Sequence, residues 1–343
     1  MNRTLYLHIG AHRTATTSIQ QFLRQNFFAL QKMGYLNPFA AGRNVTLFNK
    51  IFAGEQDIDD LANDLNDRAD AKKFPIHSFI LSDEDICMRE DLTPLARFSD
   101  HFNVKVLFSL RRQDLWLESW HQQNVKWQWN PALSHLTFPE FLERRQDFHW
   151  IHYDRLTQKL ANLFGAENVT LRVFERQQMT GGPIGSFCQD INLSDATGFT
   201  EPPHVNSSLA PLTSELMRSL PLDKIPANRR RIIEMACTAL DPKLSEMAGN
   251  GSRLLMDLPT RQAILDDYSQ GNKAVASEWF GRDTLFFDGL PAAKEPVARQ
   301  TLPTDSYALL EQVVGPLIHE IMNRFEPEAE TNDGAQPQKS KAN

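Results

Sequence analysis

The chain has 343 residues, 41% of them hydrophobic, and carries 43 Asp and Glu against 36 Lys and Arg for a formal charge of −7. That length exceeds the usual domain, so an α/β core with a helical extension is expected rather than one compact sphere, and the acidic balance argues against a nucleic-acid-binding surface. Cys87, Cys188 and Cys237 are few, odd in number and widely spaced, which argues against a disulfide framework or a metal site and for a reducing compartment.

In chain order, a short apolar strand from Leu5 runs into a small-residue turn and then into a helix beginning near Thr16, with Ile19, Phe22, Leu23, Phe27 and Leu30 on one face. The strand starts within a few residues of Met1, leaving no room for a signal peptide, and no apolar run approaches membrane-spanning length, so the cytoplasm is the expected address. His77 to Ser82 is a second strand. Val104 to Leu110 is a buried third, followed by Arg111 and Arg112 and by Asp114 as cap of a helix containing Ser119. An amphipathic helix through Leu156, Leu160, Leu163 and Phe164 ends at Gly165, before a strand from Asn168 to Phe174. Strands separated by helices predict a parallel sheet. Past Gly181-Gly182 the strand signal fades, and 212–220, 228–240, 259–279 and 305–325 read as helices of a lid or substrate wall. The expected organisation is therefore an α/β nucleotide-binding core over 1–195, a helical extension packed on the same domain over 196–325, and a polar, disordered tail over 326–343.

The turn Gly10-Ala11-His12-Arg13-Thr14-Ala15-Thr16-Thr17-Ser18 carries the chemistry. A strand, a small-residue loop and a helix N-terminus aim backbone N–H groups and the positive helix end at one point, where an anion can sit. Against the Walker A pattern Gly10 is the first glycine, Ala15 replaces the second, Thr16 stands where the lysine belongs and Thr17 keeps the hydroxyl. A cation returns as Arg13, inside the loop. Open α/β sheets bind ligands beyond the carboxyl ends of their strands, so this loop and Arg111 are expected to face one crevice.

The string HIGAHRTATTSIQ resembles the 5′-phosphosulfate loop of the sulfotransferases, which use 3′-phosphoadenosine 5′-phosphosulfate and usually carry Lys-(Ser/Thr)-Gly-Thr-Thr here. Arg13 stands in place of the lysine and Ala15 in place of the glycine. Arginine keeps the charge but cannot give a proton to a leaving oxygen, and alanine fits that slot without strain only at negative φ. The second signature of the family is an arginine at a strand end with a serine eight residues on, together holding the nucleotide 3′-phosphate; Arg111 and Ser119 match it, with Arg112 as the alternative arginine. The phrase from Phe164 to Arg176, and Asn206-Ser207-Ser208-Leu209, are similar to bacterial members, so the resemblance covers the chain to about Leu209.

The resemblance implies a P-loop NTPase-like three-layer fold, with a central, mostly parallel sheet flanked by helices. It also implies sulfuryl transfer from the nucleotide donor to a hydroxyl or amine acceptor, a carbohydrate among the candidates, with no metal. Arg13, Thr16, Thr17 and the loop amides would neutralise charge on the leaving 5′-phosphate. Glu84, in Ser82-Asp83-Glu84-Asp85 at a strand end, is the candidate base, with Asp83 behind it. His12 could touch the sulfuryl group or the acceptor; His121, His149 and His152 flank the expected crevice, and His8 reads as packing. Trp116 and Trp120 read as packing too, whereas Trp127 and Trp129 are better placed for substrate. Arg229, Arg230 and Arg231 could attract an anionic glycan or form a solvated helix face. Two other readings stand beside this one: a P-loop nucleotide or sugar kinase, and a catalytically silent nucleotide-binding protein.

Overall fold

Fully apolar strands belong at the centre of a sheet covered on both faces, and alternating ones at its edge. The computed structural model, which describes residues 2–193, 198–202, 209–249 and 251–325, shows that contrast in two of its strands. Five strands, β1 (Thr4–His8), β2 (Tyr35–Leu36), β3 (Ser78–Ser82), β4 (Asn103–Leu110) and β5 (Val169–Val173), form one all-parallel sheet in the order β2-β3-β1-β4-β5. β3 is buried along its whole length, while β5, at the edge, buries only Val169, Leu171 and Val173. His8 at the end of β1 pairs with Ser82 on one side and Leu107 on the other. The chain leaves β1 for β2 and β3 on one side and crosses to β4 and β5 on the other. The crevice beyond β1 and β4 is therefore the topological switch point, where such sheets bind ligands.

Helices cover both faces, giving three layers. On one face Tyr6, Ile80 and Leu107 pack with Ile19, Phe22 and Leu23 of the helix Thr16–Gln25 and with Phe187 and Cys188 of the helix Gly182–Asp190. On the other, Phe79 meets Phe102 edge-on and Phe108 meets Tyr153 of the helix Tyr153–Phe164. The single amphipathic run expected from Thr16 to Leu30 is two helices, Thr16–Gln25 and Phe27–Lys32. The break is at Asn26, whose amide donates to the carbonyls of Phe22 (3.0 Å) and Thr200 (2.9 Å) and accepts from the Thr200 N–H.

The chain forms two compact units. The first comprises the described residues within 1–123, 136–208 and 256–296; the second, those within 124–135, 209–255 and 297–343. The helix Leu258–Phe280, which the sequence places in the extension, belongs to the sheet-bearing unit. Its Arg261 is fully buried, donating to Asp114 (2.6 Å) and Glu118 (2.7 Å) of the helix Gln113–Trp127. Arg112 grips the same Asp114 through two nitrogens at 2.7 and 2.9 Å. The second unit is helical, built on Pro211–Ser219, Ala227–Ala239, Asp241–Ala248 and Gly315–Phe325, around Leu212, Leu216, Met217, Leu240, Leu244 and Val313. Among the described residues no helix is long and apolar enough to cross a membrane. Asn206, Ser207, Ser208 and the tail 326–343 lie outside the described residues.

Removing Arg261 takes a buried cation from Asp114, which keeps Arg112, and from the partly buried Glu118. Arg261→Ala is expected to lower stability by about 3–5 kcal/mol, read from urea denaturation of the whole chain. A loss below about 1 kcal/mol would show that water reaches the cluster.

Candidate functional site

The loop between β1 and the first helix is shaped by three left-handed residues: Gly10 (φ 54°), Arg13 (φ 69°) and Ala15 (φ 62°). Gly10 has no substitute, because a Cβ there would lie 2.7 Å from Thr16 Cγ2 and 3.2 Å from Glu84 Cβ. Ala15 does not meet the condition of negative φ under which alanine would fit without strain. It adopts a left-handed geometry that suits glycine and carries the Cβ penalty of about 1–2 kcal/mol. Polar bonds hold the strained loop: Thr14 Oγ1 donates to the Ala11 carbonyl (2.7 Å) and the Trp116 indole N–H to the His12 carbonyl (3.0 Å). Thr16 and Thr17 open the helix, where their amides have no intrahelical acceptor, and no acidic residue stands in its first turn. With Thr17 exposed and Ser18 partly exposed, this end of the helix is positive and open to an anion.

Two guanidinium groups converge on the loop. Arg111, at the end of β4, donates to the Arg13 carbonyl (2.7 Å), and its guanidinium lies 5.8 Å from the Phe174 ring centroid. Its backbone is held by Tyr153, whose hydroxyl accepts from the Arg111 N–H and donates to the Arg111 carbonyl. Arg13 Nε donates to Ser119 Oγ (2.6 Å) and Nη1 to Gln123 Oε1 (3.3 Å). Arg13, Arg111 and Ser119 are thus brought together, although 98 and 106 residues separate the pairs. Burial and the neighbouring Arg13 charge pull Arg111 down to about 10. Burial also lowers Arg13. Both shifts are relieved when an anion sits beside the pair. Arg112 turns the other way, to Asp114 and to the carbonyls of Asp288 (2.5 Å) and Gly289 (3.2 Å).

Opposite the arginines lies the acidic run after β3. Glu84 is buried against Gly10, and its Oε2 accepts from the Gln20 amide at 2.5 Å. One cation that sequence reasoning missed, Arg43, staples the run: Nε is 2.7 Å from Asp83, Nη1 3.5 Å from Glu84 and Nη2 2.6 Å from Asp85. Burial pushes Asp83 up in spite of Arg43. Burial would raise Asp85 too, but the hydrogen bond from His12 and the Arg43 charge hold it below the usual carboxylate range. His12 is buried, with Nε2 2.8 Å from Asp85, Nδ1 3.1 Å from Gln123 Nε2 and its ring tilted against Trp120. The result is one polar chain, Asp85–His12–Gln123–Arg13–Ser119, running from the acidic side of the site to the basic side. Gln123 was legible as the residue four after Ser119 on one helix face; Arg43 sits in a loop with no motif to mark it.

The other histidines weighed in the sequence have partners of their own. His121 bonds the Leu136 carbonyl between Phe138 and Phe141, His149 bonds the Met88 carbonyl, and His152 lies against Tyr268. His8 is buried beside Ser82 and Phe187. Among the described residues no group of three or more His, Cys, Asp and Glu is arranged to hold a metal ion.

No family model matches the chain. A protein of Archaeoglobus fulgidus described only as uncharacterized is 24% identical over 202 residues, covering 57% of this chain and 52% of that one, so the chain spans about half the length of the curated relative it matches. The crystal structure of a sulfotransferase from Alicyclobacillus acidocaldarius is similar over 76% of this chain and 100% of that chain, with 16% identity and a TM-score of 0.36.

Two outcomes follow from the loop and its strand. Ala15→Gly is expected to stabilise the protein by about 1 kcal/mol, whereas Gly10→Ala destabilises it, both read by thermal unfolding. A destabilised Ala15→Gly would contradict the left-handed geometry. Burial lowers His8 from 6.5 to about 4, so the unfolded chain binds a proton that the native state refuses between those pH values. Stability is therefore full above pH 6.5 and falls as pH drops toward 4, by up to about 3 kcal/mol. His8→Asn should flatten that part of the denaturation profile, and an unchanged slope would assign it to other groups.

Proposed function

We propose that this chain transfers a sulfuryl group from 3′-phosphoadenosine 5′-phosphosulfate to a hydroxyl or amine acceptor. The observation that carries the reading is the meeting of Arg13, Arg111 and Ser119 at a helix N-terminus on the switch point of a parallel sheet, with threonine in the Walker lysine slot. Those residues fit a donor bearing two separated phosphate groups. The amides of Thr16 and Thr17 with Arg13 would take the 5′ group, Arg111 with Ser119 the 3′ group. Sulfuryl transfer is an in-line displacement in which positioning and charge neutralisation do most of the work. The bond from sulfur to the 5′-phosphate oxygen breaks as the bond to the acceptor forms. Arg13 and the loop amides stabilise the negative charge left on that oxygen. The acceptor proton goes to Glu84, oriented by Gln20, and Arg43 compensates the acidic run around it. His12 orders the loop between Asp85 and Gln123 and is the second candidate for the proton.

Adenosine 3′,5′-bisphosphate is expected to bind without magnesium and more tightly than ATP with magnesium in calorimetric titration. Preference for magnesium ATP would favour the P-loop kinase, and binding with no transfer to any acceptor a silent nucleotide-binding protein. Arg111→Ala should weaken the bisphosphate by about 1.5–3 kcal/mol while sparing adenosine 5′-phosphate; equal losses for both would make Arg111 structural. Glu84→Gln should keep donor binding and lower transfer about a hundredfold or more, and full activity in that variant would pass the proton to His12.

A further inference from the structure

The second unit carries an open groove of about 860 Å³, within the range of small-ligand sites, that the nucleotide site does not use. Its wall includes two tryptophans whose exposure sets them apart: Trp127 is 43% and Trp129 49% exposed, whereas Trp116 and Trp120 are buried at 0% and 3%. The two indoles are parallel within 9°, with centroids 6.4 Å apart. Exposing two parallel indoles costs hydrophobic free energy unless something covers them. The groove is also basic. Lys126, Arg230, Arg231 and Arg324 line it against one acid, Glu234. Lys126 lies 5.3 Å from the Trp127 ring centroid, and Arg230 donates to the carbonyls of Trp127 and Ile225 (both 3.3 Å), fixing the tryptophan segment to the helix Ala227–Ala239. Burial raises Glu234 while Arg230, Lys126 and Arg231 oppose that rise, which places all three cations around it.

We propose that this groove binds an acidic oligosaccharide, with pyranose rings on Trp127 and Trp129 and carboxylate or sulfate groups on Lys126, Arg230 and Arg231. Sugar rings present flat apolar C–H faces that stack on indoles, and their hydroxyls suit Glu234. An acidic peptide would match the cations but leave the indoles uncovered. A nucleic-acid strand would meet both, but its phosphodiester backbone would face Glu234 with charge rather than with hydroxyls. The inference stands on the second unit alone and is independent of what the nucleotide site transfers.

The test is titration of the full chain with a chondroitin sulfate hexasaccharide, read by tryptophan fluorescence and calorimetry, beside maltohexaose, hexaglutamate and hexauridylate. The sulfated hexasaccharide should bind tightest and change the tryptophan emission. Trp129→Ala, which removes a half-exposed side chain, should weaken it at least about tenfold, and Arg231→Gln should weaken it and reduce its salt dependence. Maltohexaose should bind at least about tenfold more weakly. No binding of the sulfated hexasaccharide, equal or tighter binding of hexaglutamate or hexauridylate, or indifference to Trp129→Ala would each overturn the proposal. Adenosine 3′,5′-bisphosphate affinity, measured on the same samples, separates this site from the other: its loss alone would count only against the transferase reading.

Discussion

The contact from the Arg111 guanidinium to the Arg13 carbonyl fastens the loop after β1 to the end of β4, and the rest of the site depends on it. It is one of several contacts that hold a loop with non-glycine residues at φ 69° and 62°. The strain of the left-handed residues, of the order of 1–3 kcal/mol each, persists because the surroundings over-determine the loop. Trp116 pins it from below through the His12 carbonyl, Ser119 and Gln123 hold the Arg13 side chain, and Asp85 holds His12. The helix Gln113–Trp127 supplies three of these partners, and Arg112 and Arg261 anchor that helix in turn through Asp114 and Glu118. A buried ion network remote from the loop therefore sets how accurately the loop is placed.

Charge is divided across the site. Arg13 and Arg111 stand with the helix N-terminus, so positive potential accumulates and the Arg13 charge lowers the proton affinity of Arg111. Asp83, Glu84 and Asp85 stand on the β3 side, where Arg43 prevents three adjacent carboxylates from repelling one another apart. The His12–Gln123 contact joins the halves. This division suits a reaction in which negative charge grows at one end and a proton leaves at the other.

What was legible in the sequence is what local pattern dictates. β1, β3, β4 and β5 show as apolar runs, the helix ends at Gly165, and Gly10 marks a turn that only glycine can make. Long-range partners were not legible. β2 has only Tyr35 and Leu36, too short for any period to register. Asn26 breaks the first helix because Thr200, 174 residues later, satisfies its side chain. The helix Leu258–Phe280 joins the sheet unit through Arg261, whose acids lie more than 140 residues earlier. Arg43 is invisible for the same reason. At Ala15 the residue type itself concealed the backbone, since alanine gives no hint of a positive φ that glycine would have announced.

The central claim of the proposed function is that Arg13 and Arg111, one at each phosphate group of the donor, act together through their shared charge. A double-mutant cycle with Arg13→Ala, Arg111→Ala and the pair, measured as affinity for adenosine 3′,5′-bisphosphate, tests it most directly. The mutual repulsion of the two guanidinium groups, relieved by the bound anion, predicts a coupling energy within about 0.5–3 kcal/mol, with the double variant losing less than the two single losses combined. Additive losses would show two independent cations and would contradict the account.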